Sequence, residues 1–235
     1  MIRLPFKDSN EYFDLEPSKI IALGLNYLDH INESVSRQTS KKSGIPKEPV
    51  LFNKTPNVLI ENCADIIIPR FLERYEFENP RVDYEAELAI IINQKTSSVA
   101  EEDAFDHILG YTCMNDVSQR NLQTGDDSGW FRGKSLDTFG PIGPVIARPE
   151  QIKAPQNLKI ECRLNGKTVQ SSNTSQMIFK IPEIISFISK NFTLERGDVI
   201  MTGTPAGVGP LSEGDIVEIE IEDIGILKNG VVDKM

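Results

Sequence analysis

The sequence predicts a mixed fold in which short strands outnumber a few short helices, and three patterns carry this prediction. Residues 82–92 are rich in β-branched and aromatic side chains and contain neither Gly nor Pro, which is typical of a strand. Residues 158–164 alternate in polarity and precede Asn165-Gly166, a strong hairpin signal. A helix is predicted over residues 181–190, with Pro182 at an early position that helices accept.

Length and composition indicate one domain with at most a small appendage. The 235 residues suffice for a substantial core. The net charge of −10, with scattered basic residues, excludes nucleic acid and anionic membrane surfaces as expected partners. No apolar run approaches the ~20 residues of a membrane span, and the N-terminus lacks a signal-peptide core. Cys63, Cys113 and Cys162 are widely spaced, so we expect free thiols and a cytoplasmic location.

The strand over residues 82–92 places acids where the chain enters a core. Alternate strand residues share a face, so Asp83, Glu85 and Glu87 would line one side, the two glutamates roughly 7 Å apart. Carboxylates in a dry region repel one another and take up protons unless a cation pairs with them. A hard cation such as Mg²⁺ or Ca²⁺ prefers these oxygens. An edge strand whose acidic face lies in water explains the pattern equally well at this point.

The N-terminal part contains a histidine and an acid at helical spacing. Residues 1–17 are predicted to form a short N-terminal segment, followed by a brief strand over residues 18–24. A helix beginning at about residues 26–29 would place His30 and Glu33 on one face. A surface imidazole beside an acid is the simpler explanation of this spacing.

The middle of the chain supplies a third acid and a lysine. A strand over residues 109–117 brings Asp116 to its C-terminal end, and a short helix follows. Lys134 stands between a glycine and a serine, ahead of a Gly/Pro-rich stretch over residues 139–144 that is predicted to be a rigid turn. An exposed loop lysine is the alternative for Lys134.

Predictions are also made for a helical segment that contains His107 and for a glycine-rich loop near residue 200. A helix is predicted over residues 100–108, and we interpret its His107 as structural. A strand near residue 200 leads into a glycine-rich loop over residues 202–209, whose backbone N–H groups could face an anion. A plain sharp turn accounts for the same glycines.

Five stretches, in order, resemble those of the fumarylacetoacetate hydrolase family, and they cover roughly residues 20–225. They are Gly24-Leu25-Asn26-Tyr27 with His30 and Glu33; Tyr84-Glu85-Ala86-Glu87-Leu88-Ala89; Asn115-Asp116-Val117-Ser118 through Gln123; Gly133-Lys134-Ser135 with Thr138-Phe139-Gly140-Pro141; and Thr202 through Gly209. The resemblance implies an α+β fold, a mixed, barrel-like β-roll with flanking helices. It also implies a catalytic domain over residues 18–235 with a lid at about residues 26–47, and a homodimer.

The same resemblance implies the site residues and a small 2-oxo acid as the substrate. Glu85, Glu87 and Asp116 would ligate Mg²⁺ or Mn²⁺, with Ca²⁺ able to replace them in crystals. The remaining candidates are a His30–Glu33 pair that activates water, Lys134 beside the substrate carboxylate or developing oxyanion, and Gln123 and Thr204 as hydrogen-bonding groups.

The expected reaction is metal-dependent hydrolysis of the C–C bond of an acylpyruvate-type 1,3-diketo acid. Two alternatives stay open: decarboxylation or tautomerisation of oxaloacetate, or isomerisation of the 2-hydroxyhepta-2,4-diene-1,7-dioate type in aromatic catabolism. A third is a non-catalytic ion-binding module, although the chain has no D-x-D-x-D-G loop. Gln119 and Asn121 stand where the family often has Ala and Asp, and residues 36–47 are longer than in its shortest members.

Overall fold

The computed structural model of the chain describes residues 1–30 and 45–233 in full, together with the helical backbone of residues 31–33. Much of the predicted lid over about residues 26–47 therefore lies outside the described residues, and the lid stays a prediction. Within the described part of the chain, no helix is both long and apolar enough to cross a membrane.

Short strands make up most of the described secondary structure. In chain order they are β1 (Ile2–Pro5), β2 (Tyr12–Leu15), β3 (Ile20–Gly24), β4 (Val50–Lys54), β5 (Leu59–Ile60), β6 (Ile66–Ile68), β7 (Val82–Tyr84), β8 (Ala86–Ile92), β9 (Ile108–Asn115), β10 (Ser118–Gln119), β11 (Gly140–Ala147), β12 (Lys159–Leu164), β13 (Lys167–Asn173), β14 (Val199–Met201), β15 (Gly209–Pro210), β16 (Ile216–Ile221) and β17 (Gly225–Asp233). The α-helices are α1 (Leu28–Glu33), α2 (Arg120–Gly125), α3 (Trp130–Lys134) and α4 (Ile181–Asn191). Segments of 3₁₀-helix span Pro56–Val58, Arg70–Tyr75, Glu101–His107, Pro149–Gln151 and Thr174–Gln176.

The strands form a large sheet, a second sheet and two small ones. The large sheet has seven strands in the order β4-β3-β14-β8-β9-β11-β5, and the second has five in the order β13-β12-β16-β17-β6. A three-stranded sheet, β10-β7-β15, and the hairpin β1-β2 complete the described sheets. Parallel and antiparallel pairs occur together, and the helices are few and peripheral, so the predicted α+β class is confirmed.

The seven-stranded sheet is covered on both faces, which explains why every residue of β8 and β9 is buried. Leu88 and Ile90 of β8 belong to a core shared with the five-stranded sheet and α4. Ala89 and Ile91 point the other way, into a core closed by the β1-β2 hairpin. Residues 1–17, predicted as a short N-terminal segment, thus supply a hairpin that buries the second face of the sheet.

The acidic stretch over residues 82–92 is two strands, and the prediction of one continuous strand is wrong. β7 pairs with β10 and β15, whereas β8 lies between β14 and β9, so Glu85 falls at the break between two sheets. The side chain of Asn115 accepts the Glu85 N–H at 2.9 Å, and the Asp116 N–H donates to the Glu85 carbonyl oxygen at 2.9 Å. These bonds satisfy the backbone at the break, so the chain can pass from one sheet to the next.

The Gly/Pro-rich stretch over residues 139–144 was predicted to be a rigid turn, and this is also wrong, because it begins β11. β11 pairs with β9 and β5, and its register with β9 shifts between Gly143 and Ala147. Pro144 falls in this irregular part, where the missing N–H costs no ladder bond. The helical segment predicted near residues 100–108 is a 3₁₀-helix, and its His107 contacts the Thr96 hydroxyl at 2.8 Å, as a structural residue would.

Asn26 joins the start of α1 to two distant loops. Its buried side-chain amide donates to the carbonyl oxygens of Thr202 at 2.8 Å and Phe179 at 3.2 Å, and its Oδ1 accepts the Phe179 N–H at 2.8 Å. One side chain therefore satisfies three backbone groups that have no ladder partner, and it fixes where α1 begins.

Asn26→Ala should lower the free energy of unfolding by about 2–3 kcal/mol, because each buried backbone group left without a partner costs about 1–3 kcal/mol. Urea unfolding of the metal-free protein measures this loss. Asn10→Ala, at an exposed position, is the matched control and should stay within about 0.5 kcal/mol of the parent. Equal stabilities of the two variants would contradict the anchoring role of Asn26.

Candidate active site

Three buried carboxylates from two neighbouring strand ends meet at one point. Glu85 lies at the break before β8, Glu87 is in β8, and Asp116 directly follows β9, the partner of β8. Each offers a carboxylate oxygen, and these oxygens all lie within 4.8 Å of one another. Burial, spacing and hard oxygen donors together fit a divalent cation such as Mg²⁺ or Mn²⁺. The structure thus brings the predicted acids together, and we call them the carboxylate cluster.

Buried cationic side chains neutralise the carboxylate cluster. The Lys134 ammonium bridges Asp116 Oδ2 at 2.5 Å and Glu85 Oε2 at 2.9 Å, and Lys54 donates to Asp116 Oδ1 at 2.6 Å. Arg120 donates to Glu85 Oε1 and, at 2.7 Å, to Asp83 Oδ2. Lys134 is only 2% exposed, so the alternative of an exposed loop lysine is wrong. Glu85 and Asp116 are thus paired with buried cations, as acids in a dry region require.

The two glutamates of the cluster differ in proton affinity. Burial alone would raise the pKa of Glu85, but the charges of Arg120, Lys134 and His30 outweigh burial and hold that pKa well below its usual range. Burial and the neighbouring negative charges of Asp116 and Glu85 raise the pKa of Glu87 well above its usual range. In the metal-free protein Glu87 is therefore the carboxylate that keeps a proton most readily.

The glycine-rich loop places a backbone donor on the cluster. The Gly203 N–H donates to Glu87 Oε2 at 2.7 Å, so this backbone donor of the loop bonds to a side chain of the protein itself. Gly203 has a φ of +94°, and a Cβ there would lie 2.8 Å from the Cβ of Asn26. Both the backbone conformation and the close approach require glycine.

The remaining predicted residues lie around the same cavity. His30, Gln123 and Thr204 line it together with Glu85, Glu87 and Lys134. Gln123 Oε1 accepts from Arg120 Nη1 at 2.8 Å. Glu33 is the last residue of α1, and its side chain lies outside the described residues, so the His30–Glu33 pair stays a prediction.

The cavity also has an aromatic wall, formed by Phe52 and Trp130. Their rings meet edge to face with centroids 5.2 Å apart, and the Lys134 ammonium lies 4.9 Å from the Phe52 centroid. A Cβ on Gly24 would come within 2.8 Å of the Trp130 ring, so this glycine makes room for the wall. Lys134 stands where the aromatic wall meets the carboxylate cluster.

Several residues of the site were not assigned roles from the sequence. Lys54, Arg120, Asn115, Gln170 and Trp130 reach it from β4, α2, β9, β13 and α3. The sequence did indicate that cations such as Lys54 and Arg120 are needed, since three acids in a dry region require nearby positive charge. The departures Gln119 and Asn121 brace the chain beside α2: Gln119 caps the helix by accepting the Leu122 N–H at 2.6 Å, and Asn121 accepts the Arg81 N–H at 3.0 Å.

Known proteins resemble the chain in sequence over nearly its whole length. The family model described as fumarylacetoacetate (FAA) hydrolase C-terminal matches residues 19–232. The mitochondrial oxaloacetate tautomerase fahd2 of Xenopus laevis is 43% identical over 224 residues, which are 92% of this chain and 66% of that protein.

Solved structures resemble it in fold. The fumarylpyruvate hydrolase of Pseudomonas aeruginosa, in complex with Mn²⁺ and pyruvate, has a TM-score of 0.86 at 25% identity, covering 99% of this chain and 96% of that one. The 2-hydroxyhepta-2,4-diene-1,7-dioate isomerase of Mycobacterium marinum has a TM-score of 0.80 at 35% identity, covering 96% and 82%. The predicted mixed β-roll with flanking helices is thereby confirmed.

Glu85→Gln and Asp116→Asn should each abolish most of the divalent metal binding, because each removes a charged oxygen ligand from a three-carboxylate set. Protein purified with Mn²⁺ should carry one ion per chain by elemental analysis, and the variants a small fraction of that. Asp106→Asn, which alters an exposed carboxylate outside the cluster, is the control. Full metal content in both cluster variants would disprove the metal assignment.

Metal binding should displace a proton from Glu87, since its raised pKa lets the metal-free carboxyl hold a proton to higher pH and a metal ligand must be deprotonated. Metal affinity should therefore rise with pH, up to the pH at which Glu87 is already ionised in the metal-free protein. Calorimetric titration with Mg²⁺ in buffers of different ionisation enthalpy counts the protons released. A metal affinity that is independent of pH, with no proton release, would contradict this.

Proposed function

Because the chain belongs to the fumarylacetoacetate hydrolase family, we propose that it is a metal-dependent hydrolase that cleaves the C–C bond of an acylpyruvate-type 1,3-diketo acid. The observation that carries the proposal is one cavity lined both by Glu85 and Glu87 of the carboxylate cluster and by the aromatic wall, with Lys134 between them. Such a lining suits a molecule with a chelating, anionic 2-oxo acid part and a less polar acyl part.

The carboxylate cluster would hold Mg²⁺ or Mn²⁺ through Glu85, Glu87 and Asp116. When bound, the ion supplies Lewis acidity toward the keto and carboxylate oxygens of a 2-oxo acid. Gly203 and Lys54 keep two of the ligands in place from the protein side, through Glu87 Oε2 and Asp116 Oδ1. These partners are backbone or fully buried groups, so the ligand set is held before a substrate arrives.

The other proposed roles belong to groups that line the cavity. His30, oriented by Glu33 one helical turn later, would take a proton from water as the water attacks the acyl carbonyl. The C–C bond then breaks, its electrons form the enolate of the pyruvate part, the acyl part leaves as a carboxylic acid, and the proton held by His30 completes pyruvate. Lys134 would steady the negative charge on the substrate, and Gln123 and Thr204 would hydrogen bond to it.

Tautomerisation or decarboxylation of oxaloacetate is the second candidate, because a relative 43% identical to this chain is an oxaloacetate tautomerase. The enolate chemistry and the carboxylate cluster would serve both reactions. The hydrolase additionally requires a base for water, so the two candidates differ in their demand on His30. Isomerase activity shares the enolate step and is tested by the same product analysis.

We also propose a homodimer in a reducing cytoplasm, with a lid at about residues 26–47. Cys63, Cys113 and Cys162 are free thiols, which supports a reducing compartment. Size-exclusion chromatography with light scattering tests the dimer. For the lid, hydrogen exchange over residues 26–47 should slow when oxalate and Mg²⁺ are added.

His30→Ala should lower kcat/KM for acetylpyruvate by about 10²–10⁴, the usual contribution of general acid–base catalysis, and should spare oxaloacetate turnover more. Glu33→Gln should act in the same direction more mildly, and Lys134→Met should impair both reactions. Product analysis with the two substrates gives the reaction class.

His107→Ala is the matched control, since that imidazole bonds to Thr96 and is not part of the cavity lining. Its kcat/KM should stay within about threefold of the parent. Acetylpyruvate hydrolysis by His30→Ala within about threefold of the parent, less than the ~1 kcal/mol of a working base, would rule out His30 as that base. A parent protein that binds metal but turns over neither substrate would favour the ion-binding module.

A further inference from the structure

Gln170 brings the second sheet into the active site. It lies in β13, the edge strand of the five-stranded sheet, yet only 1% of it is exposed. Cys162 of β12 pairs with Gln170, and Arg163 pairs with Thr168, so the register skips Val169. A bulge of this kind re-aims the neighbouring side chain, and here the side chain points across to the loop after β14.

The side-chain amide of Gln170 has all of its partners inside this region. Its Oε1 accepts the Ala86 N–H at 3.0 Å, and its Nε2 donates to Pro205 O at 2.8 Å and to Thr204 Oγ1 at 2.9 Å. A Cβ on Gly207 would lie 2.1 Å from Val169 O, so the glycine-rich loop packs directly on this strand.

These partners determine which way the amide is turned. The Ala86 N–H can only donate and Pro205 O can only accept, so Oε1 must face the first and Nε2 the second. The second N–H of the amide then points at Thr204. Thr204 Oγ1 is consequently the acceptor in their hydrogen bond.

Because Thr204 Oγ1 accepts from Gln170, its own proton remains available for a ligand. A hydroxyl has a single proton, and among the described residues Thr204 Oγ1 makes no other hydrogen bond. Thr204 is 3% exposed and lines the cavity beside Glu87 and Lys134. Its proton is therefore directed to whatever occupies the cavity, and that partner must present an acceptor.

We propose that Gln170 is a positioning residue that holds the Thr204 hydroxyl as a hydrogen-bond donor to the carboxylate or keto oxygen of the substrate. The inference rests on the proposed function, since it takes a 2-oxo acid as the ligand. The same amide holds Ala86, which lies between Glu85 and Glu87, so it ties the ligand-bearing strand and the substrate-binding loop to one edge strand.

A double-mutant cycle tests this coupling. Oxalate, a stable mimic of the chelating end of a 2-oxo acid, is titrated into the Mg²⁺-loaded protein, and binding is followed by the fluorescence of Trp130, the single tryptophan of the chain, which lines the cavity. The proteins are the parent, Gln170→Met, Thr204→Val and the double variant. Each single variant should bind oxalate about tenfold more weakly, because Thr204→Val removes the hydrogen bond to the charged ligand and Gln170→Met lets the hydroxyl turn away from it.

When Gln170→Met is added to Thr204→Val, oxalate binding should weaken by less than about threefold further. Gln170 acts by orienting the Thr204 hydroxyl, and that hydroxyl is already missing. Thr204→Ser, which keeps a hydroxyl, should restore most of the affinity. Mg²⁺ affinity without oxalate should stay within about threefold in all variants, which separates loss of the donor from damage to the carboxylate cluster. Should Gln170→Met fail to fold, Gln170→Glu replaces it in the cycle, because it retains an acceptor for the Ala86 N–H.

Two outcomes overturn the inference alone: penalties of the single variants that multiply in the double variant, or parent-like oxalate affinity in Thr204→Val. A Mg²⁺-loaded parent protein that does not bind oxalate overturns the proposed function, and this inference with it.

Discussion

The pairing of buried carboxylates with buried cations is the interaction on which the site and much of the fold depend. Removing one partner of a buried ion pair typically costs about 3–5 kcal/mol, because the other charge is left unpaired in a dry region. Lys54 and Arg120 come from β4 and α2, and Lys134 ends α3. The correct placement of these three elements around the end of β9 is therefore a condition of stability before it is a condition of activity.

The same pairing determines what metal binding must change. Both oxygens of Asp116 and both of Glu85 already accept hydrogen bonds from cationic side chains. A divalent cation at the cluster therefore shares these oxygens with the cations or takes them over. Lys134 bridges two carboxylates of the cluster and also faces the aromatic wall, so a bound metal and a molecule in the cavity would both alter its surroundings. Lys54 is anchored a second time, on Val117 O at 3.1 Å.

The part of the site that follows from local pattern could be predicted from the sequence. The alternation of Glu85 and Glu87 puts two acids on one side of a strand, and Asp116 at the end of an apolar strand is equally local. The break at Glu85 could not be predicted, because it depends on the side chain of Asn115, thirty positions away, accepting one backbone N–H. The presence of Lys54 and Gln170 in the site could not be predicted for the same reason. The order and packing of the sheets bring them there, and the sequence does not reveal either.

The incorrect prediction of a turn over the Gly/Pro-rich stretch has a different cause. Gly and Pro at residues 140–144 are ordinarily turn residues, and local propensity favours a turn there. The pairing of β11 with β9 and β5 overrides that preference, and the register shift after Gly143 accommodates Pro144. Strand pairing therefore determines the structure of this stretch, and the irregular register allows turn-favouring residues to lie within a strand.

The two parts of the cavity differ in how they are built, and this bears on what each one recognises. The carboxylate cluster is held by backbone bonds and buried ion pairs, as with the Gly203 N–H on Glu87. The aromatic wall depends on Trp130, which begins the five-residue helix α3 and packs where Gly24 has no side chain. Short helices and loops vary more readily than the central strands of a sheet. Under the proposed function, the rigid sheet would bind the chelating 2-oxo acid part of the substrate, and the acyl part would contact elements that can change without disturbing the ion pairs.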